Sequence, residues 1–222
     1  MNKKIGFLIM NFESGGGTER VTSVIANELV RDNFDVRIIS CQHGNSCKFE
    51  INKSIKLYSL NGEKCEDPAL RKIYVEKQLI KYVKEEQIDV MIAVDVALYL
   101  YLIPLQIKKL CKCIAWEHFN YYINPNKMVK YARKLAAEHA DGVVVLGKND
   151  LNNYLTHYKH CKNVTYIYNP IAVDARESAP LTQKRAIAVG RLNRQKGFDM
   201  LIDAWSLIEK EVPDWKLDIY GQ

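Results

Sequence analysis

Near the carboxyl end of the chain, Gly190-Arg191-Leu192-Asn193-Arg194-Gln195-Lys196-Gly197 sets three cations and two glycines between an apolar run and a helix-like pattern. The run Ala186-Ile187-Ala188-Val189 reads as part of a buried strand over residues 184–189, and Phe198, Leu201, Ile202 and Trp205 recur at helical spacing. Parallel sheets deliver their chains to a ligand crevice at such strand-to-helix turns. Clustered cations there suit a polyanion such as a diphosphate; the plain alternative is a solvated basic loop with two turn glycines. A second turn of this kind, Ser14-Gly15-Gly16-Gly17-Thr18-Glu19-Arg20, follows the apolar run 5–10. Glycine lets backbone N–H groups approach a ligand, and a helix N-terminus favours an anion. The alternative is a tight turn that needs glycine. A third candidate, Trp116-Glu117-His118-Phe119-Asn120-Tyr121-Tyr122, ends another apolar run. A histidine beside a glutamate there could bind a hydroxyl or move a proton, although a lone histidine is more often structural.

Two common readings of the first glycine turn fail. A G-x-G-x-x-G fingerprint needs glycine at position 20, where Arg20 stands, and an acid should end the second strand, where Cys41-Gln42-His43 is found. This argues against an NAD-dependent dehydrogenase. No Gly-Lys-Ser/Thr follows the turn, so it is not a P-loop. Histidines 43, 139, 157 and 160 form no pair that suggests a metal site.

The elements that must position these turns alternate along the chain. The run 5–10 is continuously apolar, as a strand buried on both faces requires; 36–41, 90–94, 113–116, 142–146 and 164–168 also read as strands, and 55–60 as a weaker one. Between them lie a helix with Val21, Val24, Ile25 and Leu29 on one face, a helix over 69–86 with Leu70, Ile73, Ile80 and Val83 inward, and a helix over 97–110 bent or interrupted at Pro104. Further helices are expected over 127–139 and 149–158. The pattern predicts an α/β fold, a Rossmann-like doubly wound parallel sheet over residues 1–170. Residues 171–183 read as a linker, with Pro180 and mixed charge, and a fresh β-α-β begins at 184. That second domain is expected to be only begun over 184–222.

Composition is that of a globular chain: 222 residues, 48% hydrophobic, 26% charged, net charge +6. Such mild positive charge permits nucleotides, phosphates or an anionic membrane surface without demanding nucleic acid, and none is expected. The six cysteines (41, 47, 65, 111, 113 and 161) include no C-x-x-C pair and are read as reduced thiols of a cytosolic protein. No leader sequence is visible, and the longest apolar run, 96–105, is about half a membrane span. The expected location is cytoplasmic, with peripheral contact at the inner membrane face.

Three segments together resemble the retaining glycosyltransferases of family 4. Gly15-Gly16-Gly17-Thr18-Glu19-Arg20-Val21 is similar to the family's "GG-x-E-R" turn, and Glu117-His118 to the motif that ends a later strand of its first domain. Tyr168-Asn169-Pro170-Ile171, followed by Val189-Gly190-Arg191-Leu192 and Lys196-Gly197, resembles the join to the second domain and its first turn. The resemblance implies the GT-B fold, with the acceptor held mainly by the first domain and a nucleotide-sugar donor mainly by the second. It implies that Arg191 and Lys196 hold the donor diphosphate without a metal or other cofactor, and that Gly16 and Gly17 reach the donor. His118 is implied as the catalytic histidine near the transferred sugar, and Glu117 and His118 as acceptor contacts. The acceptor would be a glycan or a lipid-linked glycan. One departure is large: the family's E-x7-E motif has no counterpart, since no two glutamates stand eight positions apart. The chain is therefore expected to be an inactive fragment lacking much of its donor site and prone to self-association through its second domain. The alternative is a non-catalytic sugar- or nucleotide-binding module, or an acceptor-binding half that needs a partner chain.

Overall fold

The computed structural model describes residues 2–123, 126–161, 163–171, 178 and 180–221. They divide into two compact units, Met1–Ala172 and Val173–Gln222. Most of the expected linker (172–177 and 179) lies outside the described residues.

The first unit holds a seven-stranded, wholly parallel sheet: β1 (Lys4–Ile9), β2 (Asp35–Ser40), β3 (Lys56–Ser59), β4 (Val90–Val94), β5 (Lys112–Trp116), β6 (Gly142–Val145) and β7 (Val164–Tyr166). The order across the sheet is β3-β2-β1-β4-β5-β6-β7. Phe7 of β1 sits opposite Ile38 on one side and Ile92 on the other, which fixes the register at the sheet's centre. Each central strand is apolar on both faces because helices cover both. Helix α1 (Gly17–Arg31) packs Val21 and Ala26 on the face that carries Ile5, Phe7, Ile9, Val36 and Ile38. The opposite face, with Leu8, Ile39, Met91, Ala93, Cys113 and Ala115, is covered by α2 (Pro68–Glu86), α3 (Tyr99–Ile107), α4 (Lys127–His139) and α5 (Lys148–His157).

This division follows from the right-handedness of β-α-β crossovers. Stepping from β1 to β2 runs one way along the sheet, and stepping from β4 through β7 runs the other, so the helices fall on opposite faces. The strand order reverses between β1 and β4. The loops at the carboxyl ends of these two strands diverge there and leave a crevice.

Two expectations need correction. In α2, Leu70 and Ile73 are exposed, at 54% and 50%, and the buried positions are Val75, Leu79, Tyr82 and Val83. The first turn of this helix therefore contributes no core side chain, and the inward stripe starts at Val75. In α3 the helix continues through Pro104 to Ile107, after a single 3-10 turn at Val96–Leu98. The six cysteines are free thiols, with the sulfurs of Cys111 and Cys113 4.0 Å apart.

The second unit contains β8 (Arg185–Val189) and β9 (Lys216–Tyr220), paired in parallel, and α6 (Phe198–Ile208) between them.

Candidate active site

Three of the loops at the carboxyl edge of the large sheet carry the polar residues that sequence pointed to, or lie beside them. The turn after β1 is built first. The Asn11 side chain accepts the Glu13 N–H at 2.9 Å, and the chain reverses at Gly15 with φ of +71°, a left-handed conformation that glycine adopts without penalty. The Glu13 carboxylate accepts the N–H groups of Asn45 (2.9 Å) and Ser46 (3.3 Å), tying the loop after β2 to the turn. The Asn45 N–H leads the effects that hold the Glu13 carboxyl below its ordinary range. Gly16 caps α1 and Gly17 begins it; a Cβ on Gly17 would meet nothing within 4 Å. The backbone at Gly17 is thus open to a ligand.

An anion already stands at this helix end. Glu19 is buried in the first turn, its Oε2 accepting the Thr18 hydroxyl at 3.0 Å and lying 2.6 Å from where a Gly16 Cβ would be. A carboxylate there uses the favourable end of the helix dipole. The turn is consequently better suited to sugar hydroxyls than to a second, unpaired anion.

At the end of β5 two adjacent residues diverge. Glu117 is 1% exposed, and Arg133, from the second turn of α4, is 2% exposed. The Arg133 Nε donates to Glu117 Oε2 at 2.6 Å, while Nη1 and Nη2 donate to the carbonyls of Tyr121 (2.5 Å) and Asn120 (3.3 Å). The Phe119 N–H donates to Glu117 Oε1 at 3.2 Å, and the Tyr154 hydroxyl to Oε2 at 3.4 Å. Burial pushes the Glu117 carboxyl above its ordinary range, and the guanidinium draws it back. The expectation that Glu117 contacts an acceptor is corrected here: both carboxylate oxygens are consumed inside the fold, where they pin the segment 117–121. A buried pair of this kind is costly to break, at roughly 3–5 kcal/mol when one partner is removed.

His118 follows, with its ring stacked at a tilt on Trp116 (centroids 4.2 Å apart) and Nε2 buried without a hydrogen-bond partner among the described residues. Burial lowers its pKa to about 4, so the imidazole is neutral at pH 7. A neutral ring offers a hydrogen bond rather than a proton from its charged form.

The structure adds a residue that sequence reasoning passed over. Asp95 ends β4 at the point where strand order reverses, with φ of +109°, a conformation that side chains other than glycine rarely adopt. Its N–H donates to the Trp116 carbonyl at 3.0 Å and its Oδ1 accepts the Ala97 N–H at 2.8 Å. Burial raises its carboxyl above the ordinary range. The signal was present as a lone acid inside the apolar run 90–105. Arg133 was passed over as well, since nothing in its local sequence marks it as the partner of a glutamate 16 positions away.

In the second unit, the turn after β8 runs from Gly190, whose N–H donates to the Tyr220 carbonyl (2.9 Å), to Gly197, left-handed at φ of +62°, where α6 begins. The side chains of Arg191, Arg194 and Lys196 are exposed and make no ion pair or hydrogen bond among the described residues. Three unpaired cations on one short turn form a local field that favours a polyanion. Gly16, Gly17, Glu117 and His118 thus share one sheet edge of the first unit, and Arg191 and Lys196 share one turn of the second. No cluster of three or more His, Cys, Asp or Glu among the described residues is placed to hold a metal ion.

Comparison with known proteins gives two profile matches, described as Glycosyltransferase Family 4 over residues 15–175 and Glycosyl transferases group 1 over residues 172–222. The chain is 36% identical to an uncharacterized glycosyltransferase of Haemophilus influenzae, over 99% of this chain and 62% of that protein. It is 27% identical to the amylovoran biosynthesis glycosyltransferase AmsD of Erwinia amylovora, over 98% and 62%. Identity is also 27% to a Campylobacter jejuni α-1,4-N-acetyl-D-galactosaminyltransferase named for an undecaprenol-diphosphate-linked glycan, over 98% and 61%. The chain therefore spans less than two thirds of the length of these relatives. Among solved structures, Anabaena HepE with UDP and glucose superposes with a TM-score of 0.72 at 14% identity, over 100% of this chain and 62% of that one. The lipopolysaccharide outer core galactosyltransferase WaaB gives 0.67 at 17%, over 99% and 68%. At such identities the likeness is one of fold, that of the GT-B glycosyltransferases.

Proposed function

This chain belongs to glycosyltransferase family 4, and on that premise we propose that it serves the transfer of a sugar from a nucleotide-sugar donor to a glycan or lipid-linked acceptor, with retention of anomeric configuration. The setting is the building of a surface polysaccharide or glycolipid. One observation carries the reading: two family profiles match in order along one chain, each covering a glycine-bearing turn at the carboxyl end of the first parallel strand of its own unit. The names of the relatives support the product class, since AmsD is named for amylovoran and the Campylobacter enzyme for an undecaprenol-linked glycan.

In this reading Arg191 and Lys196 grip the donor diphosphate. Charge builds on that group as the glycosidic bond breaks, and fixed cations in a water-poor site lower the barrier by meeting it. They do so without a metal ion. Gly16 and Gly17 present backbone N–H groups to the donor's sugar, with Glu19 disfavouring a phosphate at the same place. The neutral His118 accepts or donates a hydrogen bond to the sugar near the reacting carbon. Retention through a covalent intermediate would need a carboxylate free to attack, and Glu117 is committed to Arg133. In this reading the acceptor hydroxyl approaches from the face that the diphosphate leaves.

Calorimetric titration of the purified chain with UDP-glucose and with NAD tests the assignment. The expected result is saturable heat with the sugar nucleotide alone, weakened roughly tenfold or more for each cation removed in Arg191→Ala and Lys196→Ala. Saturable NAD binding without nucleotide-sugar binding would return the chain to the dehydrogenase class.

A further inference from the structure

At the amino end of β5, the opposite end from His118, two thiols face each other. Cys111 and Cys113 flank Lys112, and their sulfurs lie 4.0 Å apart on one face of the chain. Cys113 is wholly buried, with the carbonyls of Leu102 and Cys111 each 3.8 Å from its sulfur. Cys111 is half-buried and stands in the wall of a cavity of about 530 Å3, together with Gln106, Lys109, Lys112 and Asp141. One sulfur of the pair is thus within reach of a small solute, and the other lies behind it. The hydrogen bond from Cys113 leads the effects that hold the Cys111 thiol below its ordinary range, and the same contact and burial raise Cys113. Burial pushes the Cys41 thiol up to about 12 and also raises Cys47 and Cys161. The reactive thiolate form is therefore favoured at Cys111 over these.

A thiolate at a cavity wall with a protonated thiol directly behind it is the arrangement of a sulfur nucleophile and its resolving partner. We propose that Cys111 and Cys113 form an oxidation site, at which a hydroperoxide converts the two thiols into a reversible disulfide. The Cys111 sulfur attacks one peroxide oxygen and the O–O bond breaks. The other oxygen leaves with the bonding pair and takes up a proton, as water or an alcohol. Cys111 then carries a sulfenic acid. The Cys113 sulfur attacks it, the S–S bond forms and the S–O bond breaks, and the departing hydroxide takes the Cys113 proton and leaves as water. The sulfurs lose two electrons in all, and the hydroperoxide gains them. Alternate residues of a strand lie about 6.6 Å apart, near the long end of what a disulfide spans. Cys111 precedes β5, in the turn after α3 where Lys109 is left-handed at φ of +51°. Its backbone can therefore close the gap while the ladder, which pairs Lys112 with Val90 and Cys113 with Met91, stays intact. A link made at that limit is readily reduced again. The pair shares no residue with the sites assigned to donor and acceptor.

Trypsin cuts after Lys109, Lys112 and Lys127, so it places the two cysteines in separate peptides, 110–112 and 113–127. The purified chain is treated with hydrogen peroxide at small molar excess, its remaining thiols are blocked, and it is digested without reduction. The two peptides are expected to appear joined. Before blocking, the intact mass should fall by about 2 Da, for the hydrogens lost, and dithiothreitol should restore it. Cys111→Ser should lose the link and leave Cys113 a thiol. Cys113→Ser should trap the sulfenic acid at Cys111, where dimedone adds. Circular dichroism checks that both variants fold; if the second does not, the digest of the parent decides alone. The proposal fails if both peptides of the parent carry the blocking group, or if Cys111 passes to sulfinic acid without a link. It fails if Cys113 in Cys111→Ser is oxidised as fast as the pair in the parent. It also fails if either peptide is joined instead to one that holds Cys47 or Cys65, both half-buried thiols, since Cys111 and Cys113 would then not act together.

Discussion

At the end of β5 the backbone turns Glu117 toward α4 and lays His118 on Trp116, so two neighbouring polar side chains meet different surroundings. Burial raises the glutamate's carboxyl above its ordinary range, and Arg133, in the same buried space, opposes that rise. The histidine has no such partner among the described residues, and burial lowers its pKa from 6.5 to about 4. This has a consequence for stability that can be signed. Between those two values the unfolded chain binds a proton that the folded chain refuses. The stability tied to neutral His118 is therefore full above pH 6.5 and is lost as the pH falls toward 4. At its largest the effect is about 3 kcal/mol. Asp95 and Glu117, raised by burial, act in the opposite sense, gaining as the pH falls, and comparison with a single variant cancels them. His118→Phe keeps a ring against Trp116 and has nothing to protonate. Urea unfolding followed over this range should show the parent losing stability more steeply than the variant. Parallel curves would mean that His118 is not the neutral, buried group described, and would weaken its role as a hydrogen-bonding contact. His118 itself could be picked out from sequence, because a polar residue ending an apolar run stands out. The different fate of Glu117 could not, since it depends on an arginine brought in by tertiary packing.

At the scale of elements, the strands were legible because the inner ones are buried on both faces and so are mostly apolar, although β2 carries Arg37 and Ser40 within its run. All seven were placed in the first unit to within a residue or two, and the doubly wound order follows from their alternation with helices. The inward face of α2 was not legible: Leu70 and Ile73 fit the helical period as well as Val75 and Leu79 do, and only the packing decides which apolar residues are used. The same limit applies at Asp95, whose left-handed φ comes from the junction of β4 with the following turn and has no residue-type marker such as glycine. The start of α1 offers a cleaner test of sequence against structure. Glycine in a helix interior costs about 0.5–1 kcal/mol relative to alanine, of which only part applies at Gly17, the first residue of α1, and a Cβ there meets open space. Gly17→Ala should accordingly raise the midpoint of thermal unfolding slightly. If the open backbone is a ligand contact, the same methyl should weaken sugar-nucleotide binding, read by calorimetry as a lower affinity in a more stable protein. Unchanged affinity would leave Gly17 a turn residue only.

Taken whole, the molecule joins two units with very different shares of buried surface. The first encloses cores on both faces of its sheet. In the second, none of the described residues is fully buried. Along β8 the alternation is regular, with Ala186 and Ala188 half-buried and Ile187 and Val189 exposed at 65% and 76%. Leu192, Met200 and Leu207 are exposed as well, at 62%, 73% and 78%. Two parallel strands and one helix bury too little apolar surface to offset the entropy of ordering them. Small openings of such a unit cost little, whereas the first unit opens its central strands only by unfolding as a whole. Amide hydrogen exchange on the purified chain should therefore protect β1, β4 and β5 at least roughly a thousandfold more than β8 and β9. The exposed apolar side chains add a dependence on concentration. A second copy that covers Ile187 and Val189 would slow exchange in β8 as protein concentration rises, and light scattering would show the mass rising in step. Slow exchange in β8 and β9 at every concentration, from a particle of monomer mass, would show that the unit gains its stability from contacts within one chain and would sink the argument from burial.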